Sequence, residues 1–297
     1  MTKTLVGKYN YLFLYNDSSN EITNHCQLKS TLNPYHYNNY IQNKDKLMIT
    51  IFPDKSIIYN KYLPDEYSDK CIYRANFKEL QTKLPNTIHD AFIYLINMSD
   101  CYYKTDTHIN FKGAYMVYVN SIKHFNYIFS QNIEFKQINI GHMHLDKNKG
   151  LSSLQLGIGD LTWQINCNDL ILSDISDTYY YSNDIIEFYC KYKIQKDNKY
   201  DMKFYDYENN NKTVELIDTI VSWNTLSTHI ITTKNDKVNN KFKVLIFYDS
   251  FLLSTMVLYM ETFYECIFIK RPYTIDLVNK YHSDYILEYK VERFLNN

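Results

Sequence analysis

Between residues 243 and 287 the chain alternates three continuous apolar runs with two stretches of helical spacing, and few architectures accommodate that order. Residues 243–247 (KVLIF) read as a buried strand, and Tyr248-Asp249-Ser250-Phe251 as a sharp turn. From there Leu252, Met256, Tyr259 and Phe263 recur at helical spacing, and residues 266–269 (CIFI) form the next apolar run. Thr274 is placed to cap a second helix reaching Tyr281, and residues 285–287 (YIL) read as a third strand. Strand, helix, strand, helix, strand predicts a parallel sheet with both faces covered.

Upstream, residues 46–52 (KLMITIF) read as another buried strand closed by Pro53, and residues 76–84 and 89–96 as short helices on either side of Pro85. Residues 178–233 are polar and alternate in places, as at 187–194, so residues 163–240 are read as a β-rich insertion in a single domain spanning 1–297. The 45% hydrophobic content fills a substantial core. The long apolar stretch 251–269 carries Glu261 and Glu265 near its middle, which argues for a buried helix and strand rather than membrane insertion. A net charge of −1, from 32 basic and 33 acidic side chains scattered along the chain, provides no field for nucleic acid. The 31 tyrosines against six glycines and five prolines read as codon drift in an AT-rich genome, as in some large DNA viruses and some bacteria. The six cysteines are far apart without a CxxC pair, and the amino-terminal apolar stretch is too short for a signal peptide. Free thiols and a cytoplasmic or otherwise intracellular location are therefore expected.

Three constellations could carry chemistry. Ser250, between a predicted strand and a predicted helix, has its hydroxyl at the carboxyl edge of the sheet beside free helix amides able to stabilise an oxyanion; Asp249 and Ser250 would equally serve as a helix cap. In Asp106-Thr107-His108, an extended backbone projects the carboxylate and the imidazole to one face, where Asp106 could orient His108 as a general base. The following Asn110 and the KGAY segment also suit a turn into a helix. In Gly141-His142-Met143-His144-Leu145-Asp146 two histidines and an aspartate alternate, but no further cluster completes a tetrahedral set, so no metal is expected. Neither a Walker loop, nor GxGxxG, nor GxSxG occurs.

Taken in order, several segments resemble the SGNH-hydrolase-like polysaccharide O-acetyltransferases of the AlgX and AlgJ type. GKYNYLFLYNDSS is similar to their opening "GKDGWLFL", LMITIFPDKSIIYNKYLP to their "PxK…Y…LP", and YYKTDTHINFKGA to "YYRTDTHWxxxGA". Gly159-Asp160-Leu161 is similar to a mid-chain GDL, and SDYILEYKVERFL to "PDxVxxExVERxL"; KVLIFYDSF lies between them. The resemblance implies an α/β, flavodoxin-like parallel sheet flanked by helices, with a permuted chain order in which the histidine precedes the serine. It implies Ser250 as nucleophile, His108 as base and Asp106 as orienting partner, a glycan acceptor, an acetyl donor and no cofactor. The departures are Ile109 where the family has Trp, and Tyr248 where most SGNH enzymes have Gly. With no glycine after Gly159, the second oxyanion donor has Asn224 and Arg271 as its candidates, beside the Ser250 amide, and Tyr248 joins them as a candidate substrate-binding or oxyanion residue. Hydrolysis of glycan acetyl esters, or glycan binding without catalysis, are the alternative activities.

Overall fold

The computed structural model describes residues 4–15, 19–70, 72–144, 161, 178–181, 215–221 and 229–295. Its strands are, in chain order, β1 (Thr4–Val6), β2 (Leu12–Leu14), β3 (Leu47–Phe52), β4 (Ile88–Asp90), β5 (Gly141–His144), β6 (Thr178–Tyr181), β7 (Glu215–Val221), β8 (His229–Lys234), β9 (Lys243–Tyr248), β10 (Glu265–Ile269) and β11 (Tyr285–Val291). Seven of them build one sheet in the order β4-β3-β11-β9-β10-β8-β7. The first five run parallel, while β8 and β7 add antiparallel edges beside β10. Counted from β9 and continued through the amino terminus, the parallel strands have the order 2-1-3-4-5, a doubly wound arrangement cut open in a different place. The chain leaves β9 for β10 on one side and returns to β11 on the other. That reversal opens a crevice at the carboxyl ends of β9 and β11, where such sheets bind ligands.

The near-continuous apolar character of the central strands follows from burial on both faces. Leu47, Ile49 and Ile51 of β3, with Leu245, Phe247, Ile267 and Ile269, pack against Phe77 and Leu80 of the Ala75–Lys83 helix and Val278 of the Ile275–Tyr281 helix. The alternate residues Met48, Phe52, Val244, Ile246 and Phe268 pack on the other face against Val117, Ile122 and Phe125 of the Phe111–Phe129 helix. Each such side chain, removed fully from water, contributes about 1.5–3 kcal/mol before the entropy of ordering it is counted. The Phe111–Phe129 helix starts on Asn110, whose Oδ1 accepts the Gly113 amide at 3.0 Å while its Nδ2 donates to the Asp100 carbonyl at 2.6 Å.

Several expectations change. Residues 88–90, expected in part as helix, are strand β4, because Ile88 to Asp90 pair in parallel with Ile49 to Ile51 and the sheet bonds outweigh local propensity. The segment after Ser250 is a tight 3-10 turn (Ser250–Thr255) before the helix Met256–Thr262, and Thr274 precedes the Ile275–Tyr281 helix without a side-chain capping bond. Cys101 and Cys266 are free and buried, but Cys26 is disulfide-bonded, which overturns the expectation of free thiols throughout. The segment 187–194, Gly159, Asp160, Asp146, Cys71, Cys167 and Cys190 lie outside the described residues. No described helix is long and apolar enough to cross a membrane.

Candidate active site

β9 delivers Ser250 to the crevice through a turn pinned on its neighbour. The Asp249 amide donates to the Tyr289 carbonyl at 3.2 Å, and Asp249 Oδ2 accepts the Val291 amide at 2.7 Å, so the end of β9 is tied to β11. Asp249 Oδ1 accepts the Phe251 amide at 2.9 Å. Burial raises the Asp249 carboxyl pKa, against the pull of those two amides, Arg293 and His108. The Phe251 and Leu252 amides are thus both directed at Asp249, whereas no hydrogen bond holds the Ser250 amide among the described residues.

His108 arrives from the opposite side of the crevice on a loop closed by the antiparallel bridge between Tyr102 and Ile109 and by the Asn110 amide donating to the Cys101 carbonyl at 3.0 Å. Within the loop, Asp106 Oδ1 lies 2.8 Å from the His108 amide nitrogen and 2.6 Å from His108 Nδ1, holding the ring from two points. The other ring nitrogen, Nε2, lies 2.8 Å from Ser250 Oγ. With Asp106 accepting from Nδ1–H, Nε2 carries the lone pair that faces the serine hydroxyl. The Phe251 ring centroid is 5.2 Å from that of His108 and walls the pair off below.

The loop carrying His108 is clamped by Lys55, a residue the sequence reading had placed only in a matching segment. Its ammonium, almost wholly buried, donates to the carbonyls of Leu12 at 2.6 Å, Lys104 at 2.8 Å and Asp106 at 3.0 Å. Beneath Phe251 lies a buried charged cluster that the sequence reading also missed. Arg293 Nη1 bonds Asp54 Oδ1 and sits 3.4 Å from Glu21 Oε2, and His25 Nε2 is 2.9 Å from Asp54 Oδ2. Arg293 lies 5.4 Å from the Phe251 ring centroid. Glu21, His25 and Asp54 converge as metal ligands would, but the guanidinium already supplies the cation between the two carboxylates.

Burial, reinforced by Asp54, pushes the Glu21 carboxyl from 4.5 up to about 8, although Arg293, His25 and the Ser56 hydroxyl pull the other way. Burial opposes the His25 imidazolium, yet its hydrogen bond and charge contact with Asp54, with Glu292 and Glu21 behind it, raise the pKa. Between 4.5 and about 8 the folded protein keeps a proton on Glu21 that the unfolded chain has lost, so this group's contribution to stability falls as pH rises through that window. Thermal melts from pH 5 to 8 are accordingly expected to decline more steeply for the parent than for Glu21→Gln; parallel curves would contradict the raised value.

A cavity of about 370 Å³ opens beside Ser250, lined by Tyr248, Lys270, Arg271, Glu288 and Lys290 among others. Arg271 is thus at the crevice, while Tyr248 is 97% buried within the core and only borders it. Ile109 is buried in the same core and is a packing residue. Asn224 lies outside the described residues, as do the side chains of His142 and His144 on β5.

No protein-family model and no curated protein matches this sequence. Solved structures do match its fold. Bacillus cereus PatB1 superposes with a TM-score of 0.60 at 13% identity, covering 99% of this chain and 97% of that one. A DHHW family protein from Eubacterium siraeum gives 0.53 at 13% identity, covering 99% and 95%. The O-acetyltransferase domain of Pseudomonas putida AlgJ gives 0.54 at 10% identity, covering 99% and 92%. The chain has the mostly parallel, helix-flanked α/β sheet of the SGNH-like fold.

Proposed function

We propose that this protein is a serine-dependent O-acetyltransferase that moves an acetyl group from a donor ester to a glycan hydroxyl through an acyl-enzyme. The observation that carries the reading is the continuous relay from Asp106 to His108 to Ser250, with contacts of 2.6 and 2.8 Å, at the switch point of the sheet. In the first half-reaction His108 Nε2 takes the Ser250 proton as Oγ attacks the acetyl carbonyl, and then gives it to the departing donor oxygen. In the second, a sugar hydroxyl loses its proton to His108 and attacks the acetyl-serine, and the proton returns to Ser250 Oγ. The Ser250 amide, without a hydrogen-bond partner among the described residues, is one donor for the developing oxyanion, and Arg271, on the wall of the same cavity, is the candidate for another.

Two comparisons support this chemistry by fold likeness: the AlgJ domain is an O-acetyltransferase, and PatB1 has also been solved with a sulfonyl adduct. The Cys26 disulfide supports an oxidising compartment for the protein, in keeping with a glycan outside the cytosol. An aryl acetate tests the serine: the parent is expected to give a burst of phenolate that disappears in Ser250→Ala. Acetylated oligosaccharide formed alongside free acetate, followed by mass spectrometry, tests transfer. Equal rates from parent and Ser250→Ala would refute the nucleophile, and acetate release indifferent to every acceptor would make the protein an esterase.

A further inference from the structure

A second cleft, of about 660 Å³, is lined by Lys8, Tyr9, Tyr11, Lys61 and Tyr62. Tyr11 and Tyr62 stack in parallel, with ring centroids 4.3 Å apart and planes 5° apart, and the Tyr9 ring stands at 88° to Tyr62. The arrangement is built by the backbone. A Cβ on Gly7 would overlap the Tyr62 carbonyl oxygen, so glycine lets the first turn lie directly on Tyr62. Tyr9 and Asn10 are both left-handed, with φ of 55° and 60°, and Tyr9 keeps 76% of its surface in solvent.

The lining contains no aliphatic side chain, so this is not a groove for an apolar peptide. Tyrosine faces ringed by phenol hydroxyls and ammonium groups suit a ligand that is apolar on its faces and polar at its edges. A pyranose ring, with C–H groups on its faces and hydroxyls around its rim, has that character. The cleft is also joined to the candidate active site: Lys104 Nζ lies 5.4 Å from the Tyr11 ring centroid, two residues before Asp106, and Lys55 ties the carbonyls of Leu12, Lys104 and Asp106 together. Stacked nucleic-acid bases would fit the aromatic faces too, but they need positive charge for their phosphates. Here Lys8 is engaged by Asp65 at 2.7 Å and the chain's net charge is −1, so the sugar is favoured.

We infer that the Tyr9–Tyr11–Tyr62 cleft is a glycan subsite that stacks a sugar ring of the acceptor chain on Tyr9, with Lys61 at its rim for hydroxyl or carboxylate groups. The inference rests on the glycan-acceptor reading above, and its test uses binding alone so that the two can fail separately. Full-length Ser250→Ala protein is titrated calorimetrically with chitohexaose, with hexagalacturonate and with a single-stranded oligothymidine. At least one hexasaccharide is expected to bind. Adding Tyr9→Gly, which removes the ring and relieves the left-handed backbone, should weaken that binding about tenfold or more. Adding Tyr127→Ala, which removes a tyrosine 80% exposed on the Phe111–Phe129 helix, should leave it unchanged. Absence of binding by both sugars, binding that survives Tyr9→Gly in protein with the parent's melting profile, or binding of the oligothymidine alone would overturn the subsite. Sugar binding lost with Tyr9, in a protein whose aryl acetate turnover does not depend on Ser250, would retain the subsite and remove the chemistry.

Discussion

Asp106→Asn is expected to lower kcat for an aryl acetate by about four orders of magnitude while leaving the protein folded. Asp106 Oδ1 is 2.6 Å from His108 Nδ1 and 2.8 Å from the same residue's amide nitrogen, so the carboxylate both fixes the ring and sets which nitrogen carries hydrogen. An amide in its place keeps the shape and loses the charge that offsets the imidazolium as Ser250 gives up its proton. It can also turn its NH₂ toward Nδ1, which reverses the tautomer and puts a hydrogen on the nitrogen facing Ser250 Oγ. A loss of that size is about 5 kcal/mol in the barrier, more than one exposed ion pair could account for. The pH profile separates the readings: a purely structural role would lower the rate equally at every pH, whereas loss of the base's partner should leave a residual rate that rises with hydroxide. Activity within tenfold of the parent would remove Asp106 from the mechanism proposed for it.

What could be read in the sequence follows from where burial alone determines conformation. The runs KVLIF, CIFI and LMITIF are apolar throughout because β9, β10 and β3 are covered on both faces, and that pattern is hard to mistake. Asp106, His108 and Ser250 were legible as candidates because their residue types are chemical; the residues alone did not show that they meet, which only the resemblance implied, since the histidine and the serine are 142 positions apart and the sheet order brings the two loops together. The Phe111–Phe129 helix escaped notice beyond its first turn because its buried stripe uses Val117, Tyr118, Ile122 and Phe125, β-branched and aromatic residues that intrinsic propensity does not favour in helices. β4 escaped because three residues provide too short a pattern. Lys55, Asp54 and Arg293 were passed over for the opposite reason, since charged residues default to the surface and only tertiary structure shows them buried. A usable signal was present in their positions: Asp54 and Lys55 lie just past the carboxyl end of the apolar run of β3, and Arg293 just past that of β11, the edge of a parallel sheet where sites are built.

That buried cluster carries the largest expected effect on stability. Arg293→Met should lower the unfolding free energy by about 3–5 kcal/mol, because it leaves the Asp54 carboxylate out of water with the guanidinium gone. Asp54 is fully buried, and both of its oxygens are committed, one to Arg293 Nη1 and the other to the Arg293 amide at 2.9 Å and to His25. Its carboxyl titrates below the usual range although burial acts to raise it, because Arg293 and His25 together outweigh desolvation. Removal of Arg293 takes away the stronger of those two influences on Asp54, and the backbone amide and His25 cannot replace it. The double variant Arg293→Met with Asp54→Asn decides whether charge is the reason. If the loss comes from an uncompensated carboxylate, neutralising Asp54 should restore part of it, so the double variant should unfold at higher denaturant than Arg293→Met alone. If the loss comes instead from Arg293 packing on Phe251, the second substitution should add its own cost. Denaturant melts of the parent, the two single variants and the double variant measure the coupling, and a double variant no more stable than Arg293→Met would show that the cluster is held by packing rather than by its ion pairs.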